Sequence, residues 1–145
     1  FAVPEGITEI EPGVFFKRHS LNKITLPESL RIIRESAFWG CNEIKSIYIP
    51  KSVTKIERLA FLECTSLEKI TISEGVTEIG ERAFEDCKSL REIYLPDSLT
   101  TIGRDILDRC ESLERIEVGP KLFANKKYLK EIFPVQLYKL IYKSN

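Results

Sequence analysis

Isoleucine, phenylalanine and cysteine recur along the chain every 23 residues, and the polar residues between them keep the same frame. The isoleucine series are Ile24, Ile47, Ile70, Ile93 and Ile116, and Ile10, Ile33, Ile56, Ile79 and Ile102. The other two series are Phe15, Phe38, Phe61 and Phe84, and Cys41, Cys64, Cys87 and Cys110. A fixed period of this length predicts an array of similar stacked units.

One unit, residues 67–87, shows how apolar and polar positions alternate. Residues 67–72 alternate apolar with polar side chains and predict a short strand that ends in a turn. Residues 76–79 form a second short extended piece, which Gly80 ends. Residues 81–87 carry their apolar side chains at helical spacing and predict one or two helical turns.

No single unit can bury its own apolar residues, but stacked units cover one another. Equivalent residues then form ladders, with strands about 4.8 Å apart in a parallel sheet. The sequence therefore predicts a coil in which each phenylalanine of the series lies over the next.

The pattern Leu-x-x-Ile-x-Ile-Pro-x-x-Val-x-x-Ile-x-x-x-Ala-Phe-x-x-Cys, nearly intact at 44–64 and 90–110, resembles the BspA-like class of leucine-rich repeats. The resemblance extends from residue 1 to about residue 122. It implies an α/β fold: a right-handed solenoid with a parallel β-sheet on its concave face and short strands and short helical turns on the other side. It also implies a cell-surface or secreted protein that binds other proteins.

Two regions follow from this frame. Residues 1–120 contain five repeats plus a partial N-terminal strand, and residues 121–145 form a basic segment with six lysines and one glutamate. In this segment Tyr128, Leu129, Ile132 and Phe133 predict a helix that Pro134 ends, and Leu137, Leu140 and Ile141 suggest a second. We expect a helical cap on the last unit, with a basic membrane-binding segment as the alternative.

The N-terminal end carries no such cap in the sequence. Phe1 and Val3 stand 23 residues before Ile24 and Leu26, so the chain begins within a repeat. We therefore expect further repeats before Phe1, or another chain, to cover the apolar face of the first unit.

Composition and motifs argue against several classes of function. The chain has 22 basic and 22 acidic residues, no run of about 18 apolar residues and one histidine, His19. We expect no nucleic-acid partner, no membrane insertion, no cofactor and no enzymatic activity. The cysteines recur along a line instead of converging on a point, which favours buried packing over a metal site or a disulfide.

The outward residues of the predicted strands form the first candidate binding surface. The central outward row is Thr25, Tyr48, Thr71, Tyr94 and Glu117, and the row beside it contains Lys69, Glu92 and Arg115. Tyrosine and arginine are typical of protein-recognition surfaces, although tyrosine and threonine also favour strands for their own sake. The candidate partner-binding residues are Tyr48, Tyr94, Lys69, Glu92, Arg115 and Glu117.

An apolar strip on the other side is the second candidate. Phe16, Trp39 and Leu62 follow the phenylalanine series in the first three units, and Ile32 stands where other units have polar residues. These residues indicate either a contact with upstream sequence or a partner, or rings that fold over their own unit.

The sequence as a whole favours a non-enzymatic module that presents a rigid surface to a protein ligand at the cell surface or outside the cell. A structural spacer between flanking domains and an intracellular interaction scaffold are the alternatives. Glycan binding by the aromatic residues ranks below them.

Overall fold

The computed structural model describes residues 1–145 as a coil whose successive turns contribute strands to two parallel sheets. The two-residue strands are β1 (Glu9–Ile10), β2 (Ile32–Ile33), β4 (Lys55–Ile56), β6 (Glu78–Ile79) and β8 (Thr101–Ile102). The longer strands are β3 (Ser46–Ile49), β5 (Lys69–Ile72), β7 (Glu92–Leu95), β9 (Arg115–Val118) and β10 (Ile141–Lys143). The helices are α1 (Pro120–Ala124), α2 (Lys126–Ile132) and α3 (Val135–Tyr138). The predicted solenoid is confirmed.

The strand register follows the 23-residue period of the sequence. Ile47 pairs with Ile70 in the sheet of longer strands, called the longer sheet from here on. Ile56 pairs with Ile79 in the sheet of two-residue strands, the shorter sheet. Because side chains alternate across a strand, every isoleucine of these series points into the coil while its polar neighbours point outward. The longer sheet therefore carries one continuous outward face, the concave face of the solenoid.

The phenylalanine series forms the predicted column inside the coil. The ring centroids of Phe15, Phe38, Phe61 and Phe84 are separated by 5.1, 5.0 and 5.6 Å in succession, and consecutive planes differ by 16° or less. Phe38, Phe61 and Phe84 are almost completely buried, whereas Phe15 at the first coil is only partly buried. Each unit thus buries the ring of its neighbour, which is the mutual dependence that the sequence predicts.

The segment that precedes each cysteine is a run of tight turns, so the predicted helical turns are wrong in detail. In the third coil Leu59 and Glu63 both have positive φ, 59° and 57°, which no α-helix contains. The amide of Phe61 donates to the carbonyl of Ala83 in the next coil at 2.8 Å. Turns that repeat every four residues return apolar side chains to one side of the chain, so they mimic helical spacing in the sequence.

The C-terminal segment covers the last repeat strand of each sheet. The amide of Ile102, in the last short strand β8, donates to the Tyr128 hydroxyl at 2.8 Å. On the other side β10 pairs in parallel with β9, with Ile141 opposite Ile116. Leu129 and Phe133 lie in the same buried core as the repeats. An unpaired edge is a site for unwanted association, and the cap pairs the edge that β9 would otherwise expose.

The cap also corrects one expectation. The helix before Pro134 is present as α2, but the second predicted helix is confined to α3, and Ile141 belongs to a strand. The longest helix has seven residues, and no helix has the length and apolarity needed to cross a membrane.

The first coils are paired less regularly than the rest. Ala2 bridges to Thr25, and the Val3 amide donates to the Thr25 carbonyl at 3.0 Å, so the predicted N-terminal partial strand is in its frame. The hydrogen-bonded ladder of the longer sheet then starts anew at β3, because no backbone hydrogen bond joins residues 23–26 to 46–49.

Candidate binding surfaces

All six predicted partner-binding residues lie on the outward face of the longer sheet. Tyr48 is 53% exposed and pairs with Thr71, and Tyr94 pairs with Glu117. The pairing of Ile70 with Ile93 places Thr71 and Tyr94 next to each other in the same row. Lys69, Glu92 and Arg115 form the neighbouring row in that order, with Lys69 opposite Glu92 and Glu92 opposite Arg115. The structure brings these residues together in two adjacent rows.

A third tyrosine extends the central row, and the sequence reasoning missed it. Tyr142 in β10 pairs with Glu117 and is 50% exposed. Its separation from Glu117 is 25 residues instead of 23, so it falls outside the repeat frame. The dipeptide Ile-Tyr recurs at 47–48, 93–94 and 141–142, and that was the available signal.

The charged residues of this face interact with the tyrosine row. The Arg115 guanidinium lies 3.7 Å from the Glu117 carboxylate, and its central carbon lies 5.1 Å from the centroid of the Tyr142 ring. Both contacts hold the long arginine side chain across the row, so a planar cation and an aromatic ring are presented together.

Tyr94 is fixed by an acidic environment. Its hydroxyl donates to a carboxylate oxygen of Glu74 at 2.9 Å, and that carboxylate also accepts from the backbone amides of Asp97 and Ser98. Burial, and secondarily the Glu74 carboxylate, raise the pKa of Tyr94 to about 12. A shallow depression of about 150 Å³ lies beside this ring, lined by Lys69, Ile70, Thr71, Glu92, Ile93, Tyr94 and Glu117.

The predicted apolar strip is only partly a surface. Phe16 is 44% exposed and packs edge-on against Trp39, with centroids 5.2 Å apart, and Trp39 is partly buried. Leu62 is buried, so it cannot contact a partner, and this part of the prediction is wrong. Ile32 is partly buried in β2, where its strand neighbours are Glu9 and Lys55.

Two acidic residues of the fourth coil are buried. Glu85 and Asp86 are 9% and 7% exposed, because the next coil covers them with Arg109. Arg109 contacts both carboxylates, and Arg82 lies 3.5 Å from Glu85. Pairing with arginine compensates the carboxylates for their loss of water, so neither is left as an unpaired buried charge.

The cysteine ladder is buried as predicted, and it makes a hydrogen bond that the sequence did not reveal. Each thiol contacts the carbonyl of the phenylalanine one coil earlier, for example Cys64 and Phe38 at 3.1 Å. Burial raises the pKa of Cys41 to about 11 and that of Cys110 to about 12, and it raises the pKa of Cys64 and Cys87 as well. These thiols therefore remain protonated at neutral pH.

The N-terminal end presents an opening lined in part by apolar side chains. A cavity of about 450 Å³ is lined there by Phe1, Val14, Phe15, Arg18, Ser20, Leu21, Asn22 and Lys23. Phe1 is 67% and Val14 47% exposed.

Solved structures share this architecture. The chain is 30% identical to the leucine-rich repeat protein of T. pallidum over 80% of its own length and 56% of that protein, with a TM-score of 0.78. A leucine-rich repeat protein from Bacteroides ovatus is 25% identical over 81% of this chain and 37% of the other, with a TM-score of 0.71. The pneumococcal vaccine antigen PcpA shares the fold at 22% identity, over 83% of this chain and 40% of the other, with a TM-score of 0.69. The chain thus spans 37% to 56% of the lengths of these proteins.

No curated protein sequence matches the chain. The family model of the BspA type leucine rich repeat region matches residues 1–114 in six copies. Together with the ladders of isoleucine, phenylalanine and cysteine, this match shows that the chain belongs to the BspA-type leucine-rich repeat family.

Proposed function

We propose that the chain is a non-enzymatic module that binds a protein ligand through the outward face of its longer sheet. The observation that carries this proposal is the row of Tyr48, Tyr94 and Tyr142 on one face, bordered by Lys69 and Arg115. Tyrosine and arginine are the side chains that most often dominate the energy of protein recognition.

The rigidity of the scaffold supports this role. Tyr48 and Tyr94 stand on strands whose inward residues belong to the shared core, and Ile141 beside Tyr142 packs against that core while partly buried. Their backbone positions are therefore fixed before a ligand arrives, and binding pays little entropy to order them.

Location and further contacts belong to the same proposal. The family resemblance supports a cell-surface or secreted protein, while an intracellular scaffold and a structural spacer remain the alternatives. The exposed Phe1 and Val14 support contact of the N-terminal end with further repeats or another chain. Fractionation of cells that produce the native protein distinguishes the locations.

Selection from a random peptide library displayed on phage tests the binding role. The wild-type chain serves as bait, and the double variant Tyr48→Ala/Tyr94→Ala serves for counter-selection. The matched control is Lys88→Ala/Glu111→Ala, which removes two exposed side chains outside the sheets. We expect peptides that bind the wild type and the control variant but not the tyrosine variant. The absence of any tyrosine-dependent peptide would support the spacer instead.

A further inference from the structure

The spacing of the tyrosine row identifies a conformation that a bound peptide can adopt. Tyr48, Tyr94 and Tyr142 occupy alternate rungs, with Thr71 and Glu117 between them. At about 4.8 Å per rung, consecutive tyrosines lie about 9.6 Å apart, and the whole row spans about 19 Å.

A peptide that runs along this row must return a side chain to the same face at that interval. A β-strand does so about every 6.6 Å, which does not divide the spacing evenly. An α-helix returns a side chain to the same face after two turns, about 10.8 Å. Over the whole row its side chains are therefore displaced from the tyrosines by more than 2 Å. A polyproline II helix returns every three residues, about 9.3 Å, and stays within about 1 Å of all three rings.

The chemistry of the row fits the same conformation. A polyproline II helix makes no internal hydrogen bonds, and its prolines pack on aromatic rings while its carbonyls accept hydrogen bonds from side chains. The exposed rings of Tyr48 and Tyr142 offer both an apolar face and a hydroxyl. The depression of about 150 Å³ beside Tyr94 provides a recess for one side chain of the ligand.

The charge around the central tyrosine selects the sign of the ligand. Four carboxylates surround Tyr94, those of Glu74, Glu92, Asp97 and Glu117, whereas the cations of this neighbourhood are Lys69 and Arg115. Arg31 and Lys51 lie beside Tyr48, so the excess of negative charge is confined to the middle of the row, where it complements a basic side chain of the ligand and repels an acidic one.

We propose, resting on the binding role above, that the concave face recognises a basic, proline-rich segment in the polyproline II conformation, with a proline at every third residue. Such a segment places one proline on each tyrosine of the row. Its intervening lysine or arginine side chains then lie beside the carboxylates around Tyr94.

Synthetic peptides test this proposal by isothermal titration calorimetry. We expect saturable binding of (Pro-Pro-Lys)5. The four-residue repeat (Pro-Pro-Lys-Ser)5 has the same number of lysines but a broken period, and we expect it to bind at least 10-fold more weakly. The acidic peptide (Pro-Pro-Glu)5 is expected to bind at least as poorly.

Single variants of the row locate the binding. Tyr48→Ala, Tyr94→Ala and Tyr142→Ala are each expected to weaken binding of (Pro-Pro-Lys)5 at least 5-fold. Thr71→Ala lies in the same row without a ring and is expected to change it less than 2-fold. Because Tyr48 is exposed and remote from the cap, Tyr48→Ala keeps the test meaningful if the Tyr142 variant loses stability.

The outcomes separate this inference from the function on which it rests. Equal binding of the two lysine peptides, no binding of either, or binding that ignores the tyrosines overturns the proline-rich ligand. If library selection then still yields tyrosine-dependent peptides without a proline period, the protein-binding function stands. Tyrosine-dependent binding of a soluble β-1,4-linked oligosaccharide in place of the peptides also overturns the inference.

Discussion

The rings of Phe38 and Phe61 lie 5.0 Å apart with their planes 5° from parallel, although the residues are 23 positions apart in the chain. This stacking repeats on both sides, with Phe15 below and Phe84 above. The interior of the array is thus a column in which each ring is buried by its neighbours, so its middle members should matter most for stability.

Truncation of a middle ring tests that dependence. Phe61→Ala removes a buried ring that has a stacked neighbour on each side, and we expect the free energy of unfolding to fall by about 3–5 kcal/mol. Phe15→Ala removes the partly buried ring of the first coil, so it should lower the free energy of unfolding clearly less than Phe61→Ala does. Chemical denaturation followed by circular dichroism measures both. Equal losses would contradict the column as the source of stability.

Gly75 lies close to the backbone of the preceding coil. Gly75 has φ of +128°, and a Cβ atom there would stand 2.2 Å from the Lys51 carbonyl oxygen. Gly75→Ala therefore requires the backbone to shift, and we expect a loss of more than about 2 kcal/mol in the free energy of unfolding.

The same repeat position supplies the control. Gly6 stands three periods earlier with φ of +94°, and a Cβ atom there would meet no atom within 4 Å. Gly6→Ala should show only the cost of the backbone conformation, about 1 kcal/mol. Thermal denaturation of the two variants gives the comparison, and similar losses would show that the contact with Lys51 is unimportant.

The buried thiols predict that stability declines in alkaline solution. The ordinary thiol pKa of 9.0 applies to the unfolded chain, whereas burial raises the pKa of Cys41 to about 11 and that of Cys110 to about 12. Between these values the unfolded chain has lost protons that the folded chain retains, so raising the pH favours unfolding. Each thiol lowers the free energy of unfolding by at most about 1.4 kcal/mol for each pH unit.

Urea denaturation at pH 8, 9 and 10 measures this decline. Cys87→Ala removes one of the four thiols, so the fall in the free energy of unfolding from pH 9 to pH 10 should become smaller. A fall of the same size in the wild type and the variant would assign the alkaline sensitivity to lysine or tyrosine instead.

The cap should stabilise the last coil through its buried face. Leu129 is fully buried within the core of the repeats, so Leu129→Ala should cost about 2–4 kcal/mol in the free energy of unfolding. Val135 is 64% exposed in the same segment, and Val135→Ala should change it by less than about 0.5 kcal/mol. Hydrogen exchange at the amides of Ile116 and Val118 should rise in the first variant alone. Unchanged exchange there would mean that the cap does not protect β9.

The ladders of isoleucine, phenylalanine and cysteine could be predicted because the same residue types recur at the same position in successive repeats. Five isoleucines in phase outweigh any local ambiguity, so the strands and their register followed from spacing alone. The turns could not be predicted in this way, because the positive-φ positions of the third coil are Leu59 and Glu63 instead of glycine. A sequence signal for left-handed backbone conformation is absent when neighbouring coils impose it.

The candidate site was predicted as far as the repeat frame extends. Tyr48 and Tyr94 share a repeat position, whereas Tyr142 lies two residues out of phase and follows a stretch of helical spacing. The burial of Leu62, Glu85 and Asp86 depends on how far the next coil reaches over each turn. This coverage arises from the stacking of coils, so it cannot be predicted from the sequence of a single repeat.

The recognition of a basic, proline-rich segment by the tyrosine row is tested most directly by nuclear magnetic resonance on the ¹⁵N-labelled chain titrated with (Pro-Pro-Lys)5. The account predicts amide shift changes concentrated in β3, β5, β7, β9 and β10, with the short strands of the opposite sheet unaffected. Shift changes centred on the short strands or on the turns before the cysteines would contradict it, and so would a spectrum that does not change at all.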